Sequence, residues 1–241
     1  MPQDIDFKNL CMKFDDSQSN CYYIGQWNED ANKGEERQGF GILIIEDGDI
    51  YEGFWDEGQY KYFGRLIQPT GKIYQGQFKF SQPNGAGVTI KTKFEKSGKR
   101  RTEYRHKGYY QNGRYHGNGT LDYTNHFKYV GLFQRGKMTS LKSKIEYSNG
   151  TVYTGETFEG KKQGNGVLVY QNGSKYEGTF RDDQPDGQGK ETQMNSNGEI
   201  EEKYVGGFKQ GKRHSKGQIF VPSKKKGVSV VYDQGYLVSD K

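Results

Sequence analysis

The chain has 241 residues, 31% hydrophobic and 15% aromatic, with 35 glycines, 19 tyrosines and a formal net charge of +6. So small an apolar supply excludes a thick two-layer core, and the aromatic content with its regular spacing excludes a disordered glycine-rich chain. Residues 1–57 hold four Lys/Arg against fourteen Asp/Glu, so an acidic first quarter precedes a basic remainder.

Residues 1–21 are read as an acidic N-terminal extension. Met1 to Asp6 carry neither the basic nor the apolar part of a secretory signal, and no later stretch is long and apolar enough for a membrane span. The expectation is a cytoplasmic protein, neither secreted nor transmembrane. Cys11 and Cys21 are then favoured as reduced thiols over a local disulfide.

From residue 22 a frame recurs about every 23 residues. Tyr, Gly and Trp/Phe occupy alternate positions, a Gly-containing turn follows, and a Gly-x-Gly step closes the frame. Copies open at Tyr23-Gly25-Trp27, Tyr51-Gly53-Trp55, Tyr74-Gly76-Phe78 and Gly108-Tyr110. Further copies open at Tyr129-Gly131-Phe133, Tyr153-Gly155, Tyr176-Gly178-Phe180 and Tyr204-Gly206-Phe208. Alternate residues of an extended strand share a face. Because Leu43, Leu121, Leu168 and Ile219 continue the alternation after Gly-x-Gly, each copy predicts a β-hairpin with one aromatic-and-glycine face. Glycine weakens a strand, so its regular placement predicts a ring from a neighbouring strand lying close over the backbone. Val228, Val230, Tyr232 and Gly235 keep the pattern in part, predicting a half-repeat or cap in residues 222–241.

These residues resemble the membrane occupation and recognition nexus, or MORN, repeat, which Tyr51 to Gly64 and Tyr153 to Gly166 follow closely. Residues 22–221 hold about eight copies. The resemblance implies an all-β fold, an elongated, twisted, single-layer solenoid of stacked antiparallel β-hairpins.

Departures from the frame mark places to inspect. The first copy carries an acidic insert within Asn28 to Gln38, and His106 replaces the opening Tyr of the fourth copy. Ser140 and Lys142 stand for the Gly-x-Gly of the fifth, and Thr157 takes the ring position of the sixth with Phe158 beside it. Thr89 to Arg105 and Lys190 to Lys203 are read as long connections. Inserts of this kind are expected on a shared edge with the basic runs Lys99-Arg100-Arg101 and Lys224-Lys225-Lys226.

Signals that imitate chemistry are explained by the frame. Gly131 to Lys137, Gly155 to Lys161 and Gly206 to Lys212 read Gly-x-x-x-x-Gly-Lys but lack the following Ser/Thr, and they fall on hairpin turns, so nucleotide binding is disfavoured. His116 and His214 precede the Gly-x-Gly step, and neither His106 nor His126 is spaced with carboxylates as a metal ligand. No metal, cofactor or catalytic set is nominated. Asn149 and Asn172, in Asn-Gly-Thr/Ser, read as turns, and Asn118 as a strand residue. Nucleic acid is disfavoured, because the repeat already accounts for the aromatics.

The resulting reading is a non-catalytic scaffold for protein partners. The candidate docking residues are Tyr23, Trp27, Tyr51, Trp55, Tyr74, Phe78, Tyr110, Tyr129, Phe133, Tyr153, Tyr176, Phe180, Tyr204 and Phe208. The resemblance implies a part of a eukaryotic assembly, cytoskeletal or in a ciliary or flagellar axoneme, as in radial spoke heads. The alternative is a peripheral protein binding anionic phospholipid at a membrane or junction through Lys99, Arg100, Arg101, Lys224, Lys225 and Lys226. A third reading is regulation of an enzyme in trans, and self-association is left open.

Overall fold

The computed structural model describes residues 11–15, 21–30, 34–224 and 226–240. Lys225, part of the acidic extension and the tip of the first insert lie outside the described residues. The fold is all-β, and the chain divides between Thr124 and Asn125 into two compact units.

Unit 1 comprises β1 (Cys11–Asp15), β2 (Cys21–Asp30), β3 (Gly34–Ile45), β4 (Ile50–Asp56), β5 (Gln59–Ile67), β6 (Lys72–Lys79), β7 (Gln82–Phe94), β8 (Arg100–Gln111) and β9 (Arg114–Tyr123). Each strand pairs antiparallel with the next. Unit 2 comprises β10 (Phe127–Gln134), β11 (Lys137–Met138), β12 (Ser140–Tyr147), β13 (Val152–Phe158), β14 (Lys161–Val169), β15 (Lys175–Arg181), β16 (Gln184–Met194), β17 (Ile200–Lys209), β18 (Lys212–Phe220), β19 (Val228–Asp233) and β20 (Tyr236–Asp240). Here β10 pairs with both β11 and β12, and sequential antiparallel pairing continues to β20.

The expected stacked hairpins are therefore present, one per sequence copy. β19 and β20 form a further hairpin, with Val230 buried and the Tyr232 ring 5.6 Å from that of Tyr204. Within the segment read as an extension, Cys11–Asp15 pairs with Cys21–Gly25.

Tight turns set the hairpin geometry. Arg135 and Gly136 have φ of 51° and 87°, and Asp182 and Asp183 have 48° and 71°. Two successive positive φ values give a type I′ turn, whose twist matches that of the strands it joins. The second turn residue donates its N–H to the preceding copy: Gly58 to Arg37 O at 3.1 Å, Asp183 to Lys162 O at 3.1 Å, Gly235 to Arg213 O at 2.8 Å. Along the same edge Lys137 pairs with Glu159 at 2.6 Å and Lys161 with Asp182 at 2.7 Å. The Gly-x-x-x-x-Gly-Lys segments are thus turns whose lysines reach the next turn. On the opposite edge Asn149 and Asn172 accept the N–H two residues on, from Thr151 and Ser174, both at 3.0 Å, closing the turns read from the sequence.

Two expectations are corrected. Thr89–Arg105 and Lys190–Lys203 are mostly paired strand, with Thr92 opposite Thr102 and Thr192 opposite Lys203, and only short turns join them. In the fifth copy Ser143, not Lys142, faces Gly155, because a bulge between Ser140 and Ser143 consumes a residue.

Candidate functional site

On the ring-bearing face, each opening Tyr lies over its own hairpin. A Cβ at Gly53 would sit 2.6 Å from the Tyr51 hydroxyl, and one at Gly64 would sit 2.6 Å from its ring. The ring thus covers the glycine two residues ahead on its own strand and the facing glycine on the next, whereas the sequence reading drew it only from a neighbouring strand. Its hydroxyl donates to the carbonyl three residues on, Phe54 O at 2.9 Å. The same bond recurs at Tyr23, Tyr74, Tyr129, Tyr153, Tyr176 and Tyr204, over 2.7–3.1 Å. Desolvation raises these hydroxyls' pKa, that of Tyr176 to about 12, so they remain donors at neutral pH.

The candidate docking rings fall in the core. Tyr23, Tyr51, Trp55, Tyr74, Phe78, Tyr110, Tyr129, Phe133, Tyr153, Tyr176, Phe180, Tyr204 and Phe208 are all buried, and Trp27 is half-buried. They pack edge to face, as in Tyr51 with Trp55 at 5.2 Å and Tyr176 with Phe208 at 4.8 Å. The open aromatic groove is corrected accordingly: ring-over-glycine and ring-to-ring contacts consume the surface that docking would need.

A position missed in the sequence closes over these rings. It faces the last position of the Tyr-x-Gly-x-Phe/Trp step, which is Trp27, Trp55, Tyr110, Thr157 or Phe208, and is occupied there by Arg37, Tyr60, Tyr115, Lys162 and Arg213 respectively. Tyr60 stacks on Tyr51 at 3.7 Å and Tyr115 on His106 at 3.8 Å. The Arg213 guanidinium lies 4.7 Å above the Tyr204 ring and that of Arg37 5.4 Å above Tyr23, a cation–π arrangement. Varied chemistry hid the position, although its fixed offset of five residues after Trp55, Tyr110 and Phe208 was readable.

Polar residues interrupt the apolar row in three places. Thr89 and His106 are buried in unit 1. In unit 2 Glu191 takes the place that Leu168 holds in the preceding copy, between Tyr176 and Tyr204. Arg213 meets Glu191 and Glu202 at 2.7 Å each. Burial disfavours the guanidinium charge, but the two carboxylates and the Tyr232 hydroxyl outweigh it and hold the pKa above its ordinary value.

Beside this cluster lies an open trough of about 760 Å³ on unit 2, lined by Thr151, Tyr170, Ser174, Glu191, Gln193 and Glu201 among others. Tyr170 is half-exposed. Of the basic clusters, Lys99 lies in the turn before β8 while Arg100 and Arg101 begin that strand, and Lys224 and Lys226 lie between β18 and β19; Lys99 and Arg100 are exposed in unit 1, Lys224 and Lys226 in unit 2. Arg100 donates to Thr92 Oγ1 at 2.9 Å, and Arg101 pairs with Glu95 at 3.5 Å. Among the described residues no group of His, Cys, Asp or Glu is arranged to hold a metal ion, and no helix is long and apolar enough to cross a membrane.

A family model of the MORN repeat matches residues 74–92, 106–126, 153–175, 176–197 and 204–219. This is a MORN-repeat protein. Its matched segments coincide with hairpins of both units, and its repeats mark it as a repeat protein that binds proteins or membranes. No curated protein matches the MORN-repeat chain in sequence. Among solved structures, the TCP10 domain of Danio rerio CPAP, in complex with a peptide of Danio rerio STIL, is 12% identical, covering 85% of this chain and 94% of its own with a TM-score of 0.44. The SAS-4 (dCPAP) TCP domain of Drosophila melanogaster, in complex with a proline-rich motif of Ana2 (dSTIL), is 10% identical, covering 87% and 96% with a TM-score of 0.38.

Proposed function

We propose that this MORN-repeat protein is a non-catalytic scaffold that holds a protein segment in the trough of unit 2, as one part of a eukaryotic cytoskeletal or axonemal assembly. The supporting observation is the trough itself, which is open and sets hydroxyl, amide and carboxylate groups around the half-exposed Tyr170. Such a lining satisfies the backbone and polar side chains of an extended segment, and a partly buried ring supplies an anchor. Glu191 is already engaged by Arg213, whereas the exposed Glu201 of the lining favours a partner segment carrying Lys or Arg.

The test is capture of binding proteins from ciliated cells with tagged wild type and with Tyr170→Ala/Glu201→Gln. A partner held by wild type and weakened at least about tenfold in the variant agrees with the proposal. A partner held equally by both sinks the trough as its site.

A second reading, attachment to anionic membranes, draws on the exposed Lys99, Arg100, Lys224 and Lys226. Attraction of this kind is screened by salt. Vesicles containing phosphatidylserine should bind little wild-type protein at physiological salt. Strong, salt-sensitive binding lost on changing Lys224, Lys225 and Lys226 together to Ala would favour the membrane.

A further inference from the structure

The face of unit 1 opposite the buried rings is largely apolar over β2 to β7. Tyr22, Ile44, Ile50, Ile67, Ile73 and Ile90 stand directly opposite one another from strand to strand in one unbroken row. Tyr22 and Ile44 are 53% and 40% exposed. Toward the tight turns lies a parallel row of Ile24, Ile42, Glu52, Arg65, Gln75 and Val88. Beyond it Phe40 packs on Phe54 at 5.8 Å, and Phe63 is 58% exposed. The corresponding rows of unit 2 are broken by lysines, among them Lys144, Lys175, Lys190 and Lys203, so the repeat itself does not demand the apolar character.

Charge on this face is placed symmetrically. Glu52 on β4 and Arg65 on β5 are direct cross-strand neighbours at the middle of the six strands. A two-fold axis parallel to the strands and midway between β4 and β5 keeps each row opposite itself. It carries β4 over β5 of a second copy, β3 over β6 and β2 over β7. Glu52 then faces Arg65 of the second copy, and Arg65 faces its Glu52. Ile50 faces Ile67, Ile44 faces Ile73 and Tyr22 faces Ile90. Like charges never meet, and both charged pairs form at once.

We propose that this face is the interface of a two-fold dimer of the chain, two sheets packed face to face. Six strands at about 4.8 Å and three rows about 6.7 Å apart span roughly 29 by 20 Å, or about 600 Å² from each copy. The total of about 1,200 Å² reaches the lower bound of a specific interface. An unrelated partner or a lipid surface gives no reason for opposite charges at this spacing about the centre, whereas a second copy does.

Sedimentation equilibrium of wild type, Glu52→Arg, Arg65→Glu and an equimolar mixture of the two variants tests this, with circular dichroism to confirm that each stays folded. Wild type should approach twice its 27.6 kDa mass as concentration rises. Each variant alone places like charges opposite each other twice and should dimerise at least about tenfold more weakly. The mixture should recover association, because a heterodimer restores an opposite pair at one site and leaves Arg65 facing Glu52 at the other. Monomeric wild type, dimerisation indifferent to either reversal, or a mixture as weak as its components would each overturn the proposal.

Discussion

Nδ1 of His106 lies 2.9 Å from the Tyr110 hydroxyl, which lies 2.7 Å from Oγ1 of Thr89, and all three side chains are buried. His106 occupies the place of the opening Tyr, and Tyr115 stacks on it as Tyr60 stacks on Tyr51. The fourth copy therefore keeps the packing plan while exchanging a phenol for a group that titrates.

Burial lowers the His106 pKa from 6.5 to about 4. Between those values the unfolded chain binds a proton that the folded chain refuses, so the contribution to stability is whole above about pH 6.5 and is lost as pH falls to about 4. Each tenfold change in proton affinity is worth about 1.36 kcal/mol, so the full loss approaches about 3 kcal/mol. Urea unfolding of wild type and His106→Tyr at about pH 7 and about pH 4.5 checks this. Wild type should lose more stability than the variant over the interval, and parallel losses would show that His106 does not titrate on unfolding.

Alternation made the hairpins legible, since Tyr-x-Gly-x-Trp at Tyr51 and the Leu after Gly-x-Gly both have the period of a strand. Their stacking order followed from the repeat. What alternation cannot convey is how far a ring tilts. Tyr51 lies flat over Gly53 and Gly64, so the face that looked like a docking groove closes as core. Likewise Thr89 to Arg105 hid two paired strands, because its alternating residues are Lys, Thr and Arg rather than apolar. The cover over each ring escaped notice for a similar reason: Tyr60, Lys162 and Arg213 share a place and a function but no chemistry.

Trp55, an anchor for partners on the sequence reading, is 2% exposed, with its ring 5.3 Å from Tyr23 and 5.2 Å from Tyr51. Trp55→Ala should therefore cost about 3–5 kcal/mol of stability, as truncation of a large core aromatic does. Chemical denaturation measures it. A loss below about 1 kcal/mol would mean that the ring is not held in the core.

Glycine at position 178 is required by space. A Cβ there would lie 2.6 Å from Gln188 O, the Gly189 Cα and the Tyr176 hydroxyl. Gly178→Val should cost about 1–3 kcal/mol through overpacking. In a repeat array the damage stays near its source, so amide exchange should accelerate in β15, β16 and their neighbours and leave β4 and β5 unchanged. Equal loosening in unit 1 would contradict nearest-neighbour coupling.

Arg213 and Glu191 form a polar insertion in an apolar row, with side-chain exposures of 12% and 29%. Removing the cation alone, in Arg213→Met, strands the Glu191 carboxylate between Tyr176 and Tyr204, with Glu202 nearby and no guanidinium between them. Breaking a fully buried pair costs about 3–5 kcal/mol, and residual solvent access here lowers the expected loss to about 2–3 kcal/mol. Glu191→Leu installs the residue that the preceding copy carries at Leu168 and removes the charge left behind. The double variant Glu191→Leu/Arg213→Met should therefore recover most of the loss, since apolar replacement of a buried ion pair is often neutral or stabilising. Denaturant midpoints of wild type, both single variants and the double variant complete the cycle. If the double variant is as unstable as Arg213→Met, the guanidinium stabilises the fold by covering the Tyr204 ring, and neutralising Glu191 is not its main contribution.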